Sequence, residues 1–224
     1  MTVFQSPPTN EQYKRSGWRI AIVGAGGQGV LTAAQLLCAA FVEQGHVVVS
    51  GQLRGMSQRG GSVQSSVMVD CGISPVIAAG AADFVLGFEP VETARALPLM
   101  SRRTLVLMNT TPVFPYVLAL RSVLEEREVP YPEVSELTEH IRAVTPNVYG
   151  FDATTLAAEA GTTQVLNMIM LGCLLGTEAL PCPVDGFLET VARIIPPSLV
   201  EFNTKAIDSG IQVGKTLQLA EVTA

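Results

Sequence analysis

The residues able to do chemistry gather in two glycine-rich stretches. The first, Gly24-Ala25-Gly26-Gly27-Gln28-Gly29, fits G-x-G-x-x-G between an apolar run and a helix-forming one. In that setting backbone N–H groups and a helix dipole favour an anion, although a merely tight strand-to-helix turn needs the same glycines. The second stretch runs from Gly51 to Val69 and centres on Gly55-Met56-Ser57-Gln58-Arg59-Gly60-Gly61. Glycines permit close backbone approach, and polar, pliable material of this kind marks recognition loops more often than packing elements. Arg54 and Arg59 suit a phosphate because a guanidinium fork donates to two oxygens at once. Salt bridges at a subunit interface account for them equally well.

Two asparagines join these stretches as candidates. Asn109 ends a strand on the edge that carries the glycine turn, where open α/β sheets bind ligands. Asn167 is a polar residue inside an apolar helix, so it needs a hydrogen-bonding partner if buried. Helix capping or internal pairing explains either one as well as ligand contact does. NAD is disfavoured: the end of the second strand reads Ser50-Gly51-Gln52, and no carboxylate appears before Asp70 to hold a ribose. An additional phosphate met by Arg54 or Arg59, as in NADP or coenzyme A, stays open.

Other motifs fail on context. Gly214-Lys215-Thr216 resembles the end of a P-loop, but the first glycine of that motif falls on Ser209 and a helix precedes it. Ser57 lacks the second glycine of G-x-S-x-G, since Arg59 stands there. His46 and His140 have no evident nucleophile or metal-ligand company. Cys38, Cys71, Cys173 and Cys182 include no C-x-x-C pair, and read as buried free thiols rather than zinc or iron–sulfur ligands.

The elements that must position these residues alternate between strand and helix. Trp18–Val23 is a buried strand, Val30–Glu43 a helix stopped by Gly45, and Val47–Ser50 a second buried strand, which implies a parallel pair with a right-handed crossover. Ser62–Val69 reads as an edge strand or hairpin arm. Strands follow at Ala82–Gly87, Thr104–Met108 and Asn147–Phe151, with helices at Val91–Leu97, Ser135–Val144, Ala153–Ala160, Thr162–Leu175, Asp185–Ile194 and Ser198–Val213. Asp152 is placed to cap the helix that begins at Ala153. The expected fold is α/β, a doubly wound, mostly parallel sheet with helices on both faces, a Rossmann-like three-layer sandwich. Residues 1–16 are expected to form a flexible, extended N-terminal arm and 17–224 a single domain.

Composition narrows the function. The 224 residues carry a net charge of -6, which argues against nucleic acid, whose backbone demands clustered Lys and Arg. The N-terminus has no signal-peptide layout, and the apolar run Val165–Leu175 is too short to span a bilayer. A soluble cytoplasmic protein is expected. Hydrophobic residues make up 48% and charged ones only 15%, so either the core is large or a partner covers part of the surface.

The segments GAGGQGVLTAAQLL, GMSQRGGSV, DFVLGFEPVETARALP, MNTTP, Asn167-Met168-Ile169-Met170-Leu171-Gly172 and IPPSLVEFNTKAIDSG together resemble the gamma-type subunit of 2-oxoacid:ferredoxin oxidoreductases, most closely the indolepyruvate-specific branch. The likeness extends from about Trp18 to Gly214. It implies a subunit of an enzyme that decarboxylates a 2-oxoacid oxidatively, giving an acyl-CoA and passing two electrons to ferredoxin or an equivalent acceptor. Thiamine diphosphate, its Mg and iron–sulfur clusters are then expected on a larger catalytic partner, because this chain shows neither a thiamine diphosphate motif nor cluster cysteines. The glycine turn and the Gly55–Gly61 loop would face that partner and help to hold coenzyme A. Members of the family often carry histidine before Gly-Met, where this chain has Arg54, so the choice of 2-oxoacid is left open. An independent NADP-dependent reductase and a purely structural assembly subunit are the competing readings.

Overall fold

The computed structural model describes residues 17–54, 61–113 and 130–217. The N-terminal arm expected over residues 1–16 and loop residues Gly55, Met56, Ser57, Gln58, Arg59 and Gly60 lie outside them.

Six strands make one sheet: β1 (Trp18–Ala25), β2 (Val48–Arg54), β3 (Ser62–Val69), β4 (Phe84–Gly87), β5 (Leu105–Asn109) and β6 (Val148–Phe151), in the order β2-β3-β1-β4-β5-β6. β1, β4, β5 and β6 pair in parallel. β3 runs against both its neighbours, with Trp18 opposite Val69 and Ala25 opposite Ser62 on one side, and Val48 opposite Val69 and Arg54 opposite Val63 on the other. The mostly parallel α/β sheet is therefore as the sequence predicts. The parallel β1–β2 pair is not: β3 takes the place beside β1, and β2 is displaced to the edge. The reason is the pairing itself. β3 binds all of β1 and all of β2, so the hairpin offers a full ladder on both sides of β3. That register also carries β2 on to Arg54, beyond the Ser50 boundary that hydrophobicity alone suggests.

Strand alternation divides the core. Ile20, Ile22, Leu86, Leu105 and Leu107 point to one face, and Ala21, Val23, Val85, Val106 and Met108 to the other, as a period of two requires. The first face is covered by α1 (Val30–Glu43), α4 (Ala153–Glu159), α5 (Leu166–Gly176), α6 (Val184–Ile194) and α7 (Pro197–Thr216). The second carries α2 (Pro90–Arg95) and α3 (Val134–Arg142).

α5 is buried on every side, which is what a helix without a polar face requires. It packs backbone to backbone against α7. A Cβ on Gly172 or Gly176 would collide with the carbonyls of Ile207 or Ile211, and one on Gly210 or Gly214 with those of Ile169 or Cys173. Each of these helical glycines costs about 1 kcal/mol relative to alanine in intrinsic propensity, and the close approach offsets it. Gly214-Lys215-Thr216 is, as expected, only the end of a helix. Among the described residues no helix is long and apolar enough to cross a membrane.

Candidate functional site

β1 ends in the glycine turn, and the turn is braced from within. Gln28 folds back so that its Oε1 accepts from Ala25 N at 2.7 Å, while its Nε2 donates to the Phe88 carbonyl at 2.9 Å. Gly24 is glycine because a Cβ there would stand 2.8 Å from Gln28 Oε1 and 2.9 Å from Phe88 Cβ. Gly26 N donates to Gly61 O at 2.8 Å, which ties the turn to the start of β3. Arg54, opposite Val63, which is itself opposite Gly24, brings the end of β2 to the same edge.

Asn109 completes the bracing. Its Nδ2 donates to the same Phe88 carbonyl and to Thr154 Oγ1, each at 3.1 Å, and its Oδ1 accepts from Ala153 N at 3.1 Å and Thr111 N at 3.3 Å. With 0% exposure, Asn109 spends its amide on joining the ends of β4 and β5 to the start of α4. In this conformation it is a tether inside the sheet edge, and none of its groups is left for a ligand. Gln28 is likewise turned inward.

The open groups lie on the α1 side. Gly27 and Gly29 hold φ of 102° and 81°, a region that favours glycine, and a Cβ on Gly27 would meet nothing within 4 Å. α1 begins after Gly29 with no side-chain cap and no acidic residue in its first turn. The N–H groups that every helix leaves unmatched at its start therefore carry the positive end of the dipole uncompensated. Facing them, on α5, is Asn167. It is 4% exposed, and its amide carbon and nitrogen would lie 2.9 Å from a Cβ on Gly29. Both features open into a cleft of ≈ 490 Å³ between α1, α5 and α7. The Asn167 side chain lines it, and its polar atoms are not among the fully buried unpaired ones, which among the described residues comprise Ser65 Oγ alone. Of the sequence candidates, the structure thus brings Gly27, Gly29 and Asn167 together around one space.

Two neighbouring acids complete the edge. Glu89, 1% exposed, caps α2: one carboxylate oxygen accepts from Glu92 N at 2.8 Å, and the other accepts from the Tyr131 hydroxyl and from Val113 N. Burial pushes its carboxyl above the usual range, and burial together with the carboxylate pushes the Tyr131 hydroxyl up. Glu89 is not among the residues that motif and spacing single out. The signal was Pro90 directly after it, the residue type that favours the first helical position. Asp152 caps α4 as expected, accepting from Thr155 N at 2.9 Å and from Thr111 Oγ1 at 2.7 Å. The Thr155 amide and hydroxyl and the Thr111 hydroxyl hold its carboxyl below the usual value.

At the opposite end of the sheet His46 does have company. Its Nδ1 is 2.6 Å from Asp70 Oδ2, and Asp70 Oδ1 accepts from Val47 N at 2.8 Å. Trp18 and Phe41 pack around the imidazole, so this pair fastens the start of β2 to the end of β3. The cysteines are free; Cys38 and Cys71 are half-buried, Cys173 and Cys182 buried. Burial pushes the Cys173 thiol up to about 12. Among the described residues no three His, Cys, Asp or Glu side chains gather as metal ligands.

The arrangement can bind an anion. Among the described residues it shows no nucleophile beside a base. It also departs from a dinucleotide site, which places an acid at the end of the second strand beside β1; here β3 takes that place, Arg54 ends β2, and Glu89, after β4, is spent on capping α2.

Residues 19–213 match the pyruvate ferredoxin/flavodoxin oxidoreductase (POR) family. The chain is 34% identical over 202 residues to the indolepyruvate oxidoreductase subunit IorB of Pyrococcus horikoshii, across 89% of this chain and 97% of that one. With the protein of the same name from Archaeoglobus fulgidus it shares 32% over 191 residues, 85% and 92% of the two chains. Among solved structures, the gamma subunit of a keto/oxoacid ferredoxin oxidoreductase from Geobacter sulfurreducens superposes with a TM-score of 0.61 at 22% identity, covering 89% of this chain and 99% of that one. A 2-oxoglutarate:ferredoxin oxidoreductase from Magnetococcus marinus, solved with 2-oxoglutarate, coenzyme A and succinyl-CoA, superposes at 0.70 and 16% identity over 92% of this chain and 32% of that one. These two likenesses establish a shared fold.

Proposed function

The chain belongs to the pyruvate ferredoxin/flavodoxin oxidoreductase family and is a small subunit of a 2-oxoacid:ferredoxin oxidoreductase; from that premise we propose that its complex oxidatively decarboxylates indolepyruvate or a related aryl pyruvate to the acyl-CoA. In this reading thiamine diphosphate, Mg and the iron–sulfur clusters belong to a larger catalytic subunit, which passes electrons to ferredoxin or an equivalent acceptor. The four cysteines lie on separate segments with raised or buried thiols, a poor donor set for a cluster. This chain supplies binding and orientation rather than the redox chemistry.

The observation that carries the proposal is the sheet edge. A glycine turn with uncapped helix amides stands beside the point where the Arg54–Gly61 stretch leaves and re-enters the sheet, and Gly26 is bonded to Gly61. That edge faces the catalytic subunit and contributes a contact to coenzyme A, with Arg59 as the cation for a coenzyme A phosphate.

The test is to purify the complex through a tag on this chain and follow 2-oxoacid- and coenzyme A-dependent dye reduction. A brown complex with a larger partner, faster on aryl pyruvates than on pyruvate, is the expected result. Arg59→Ala is then expected to raise the apparent KM for coenzyme A about tenfold, the size of one charge-assisted contact, with assembly intact. A colourless chain that purifies alone and binds NADP overturns the proposal, and unchanged coenzyme A kinetics in the variant removes Arg59 from it.

A further inference from the structure

β2 is an edge strand without the usual protection. Among the described residues no strand pairs with its outer side. Val48–Arg54 contains no lysine, no proline and no charge before Arg54, which are the devices that keep an exposed edge from pairing. Alternate residues of such a strand turn their backbone N–H and C=O groups outward. On the second face of the sheet, away from the cleft beside α1, a groove of ≈ 380 Å³ runs between β2 and the turn Leu97–Leu99. Pro75 forms one wall. It lies on Gly51, where a Cβ would come within 2.6 Å of the proline Cβ, and its carbonyl accepts from the Ser66 hydroxyl. Among the described lining residues the one charge is Arg95, which Glu92 Oε1 holds at 2.7 Å. Leu53 and Val76 line the groove while 70% and 74% exposed, and Val47 and Ile73 extend the exposed apolar strip towards the start of β2. An apolar strip along an unprotected strand edge marks a protein interface.

We propose that β2 and this groove receive an extended, apolar, uncharged segment of the larger catalytic subunit, which adds a strand beside β2 and lays its side chains over Leu53 and Val76. The proposal rests on the reading above in that β2 leads directly into the Arg54–Gly61 stretch, which that reading turns towards the catalytic subunit. A partner seated there meets Leu53 next. The proposal goes further in naming the mode of docking, backbone paired to backbone, and the side chains that fix its register. A second copy of this chain fits less well: two chains of net charge -6 repel one another, and the one described cation of the groove is already paired.

The experiment uses the complex, with this chain tagged and the catalytic subunit co-expressed. Leu53→Asp and Val76→Asp put a charge on the strip at exposed positions, and Val42→Asp does the same at an exposed position of α1. In a dilution series the first two are expected to weaken retention of the catalytic subunit about thirtyfold or more, the size of a central interface contact. Val42→Asp is expected to change it by no more than about twofold, as surface substitutions do. Hydrogen exchange on the intact wild-type complex is expected to be slow at every amide of β2, including those that face away from β3. Full retention in both strip variants, with rapid exchange at the outward amides of β2, overturns the proposal; if that complex still oxidises aryl pyruvates, the proposed function stands. Equal loss in all three variants also overturns it, because the strip would then act as any apolar surface does. A retained catalytic subunit in an assembly of half the mass makes the occupant a second copy and overturns it as well. A wild-type preparation without a larger partner overturns both readings together.

Discussion

The α5–α7 seam and the β1–α1 turn are both built on glycine, and they use it in opposite ways. At Gly172, Gly176, Gly210 and Gly214 the space a side chain would need is already filled by the backbone of the facing helix. At Gly27 a Cβ would meet nothing, although the backbone conformation is one that disfavours it. Filled space around a glycine reports packing; empty space beside a positive φ reports a turn of the backbone, as at Gly45 and Gly72 too. Gly29 combines the two, since its positive φ accompanies a close neighbour, and that neighbour is Asn167. The comparison separates a glycine kept for close packing from one kept for its backbone conformation, which sequence alone shows only as the same letter.

The sharpest way to break the comparison is to overfill the seam. Gly210→Val drives a branched side chain into the backbone of α5, and a loss of about 3 kcal/mol or more is expected, at the upper end of overpacking effects, measured by urea unfolding. A loss below about 1 kcal/mol would mean that the helices part easily, and the seam would no longer be a packing device. At the turn, Gly27→Ala is expected to cost only conformational strain, about 1–2 kcal/mol. Gly29→Ala adds the collision with Asn167 to a similar strain and should unfold at lower urea. Equal midpoints for the two would show that Asn167 moves aside freely.

The smallest effect is expected at the far end of the sheet. The Asp70 carboxyl is held below its ordinary value, first by His46 and then by the Val47 amide. A depressed carboxylate contributes stability that is present above its unfolded pKa and lost as pH falls through the folded one. The melting temperature should therefore fall on going from about pH 5 to about pH 3, and by less in Asp70→Asn. Identical slopes would show the His46–Asp70 pair to be without effect on stability, as exposed pairs often are.

Local signals made much of this molecule legible. The β1–turn–α1 unit is read correctly because strand, glycines and helix former lie in one contiguous stretch, and Val30–Glu43 matches the observed helix end to end. Strand order was not legible, because hydrophobicity gives each strand's faces but not its neighbour; nothing in Ser62–Val69 announces that it separates β1 from β2. The site was half visible. Asn167 stands out as a polar residue in an apolar helix, yet its meeting with Gly29 joins opposite halves of the chain and appears only in the fold. Asn109 stands out equally, and the fold spends it on bracing. Glu89 escaped because its neighbours Phe88 and Pro90 make it look like part of an ordinary helix start.

The place of β3 bears on how the chain is made. In an all-parallel sheet, β1 would emerge first and wait for neighbours encoded far downstream, with a hydrophobic strand exposed meanwhile. Here β1, α1, β2 and β3 are consecutive, and the antiparallel ladder from Trp18–Val69 to Ala25–Ser62 closes within that one stretch. The central strand thus acquires a partner before β4 has been translated. The growing polypeptide shields this strand early, through contacts of shorter range than those that later join β1 to β4.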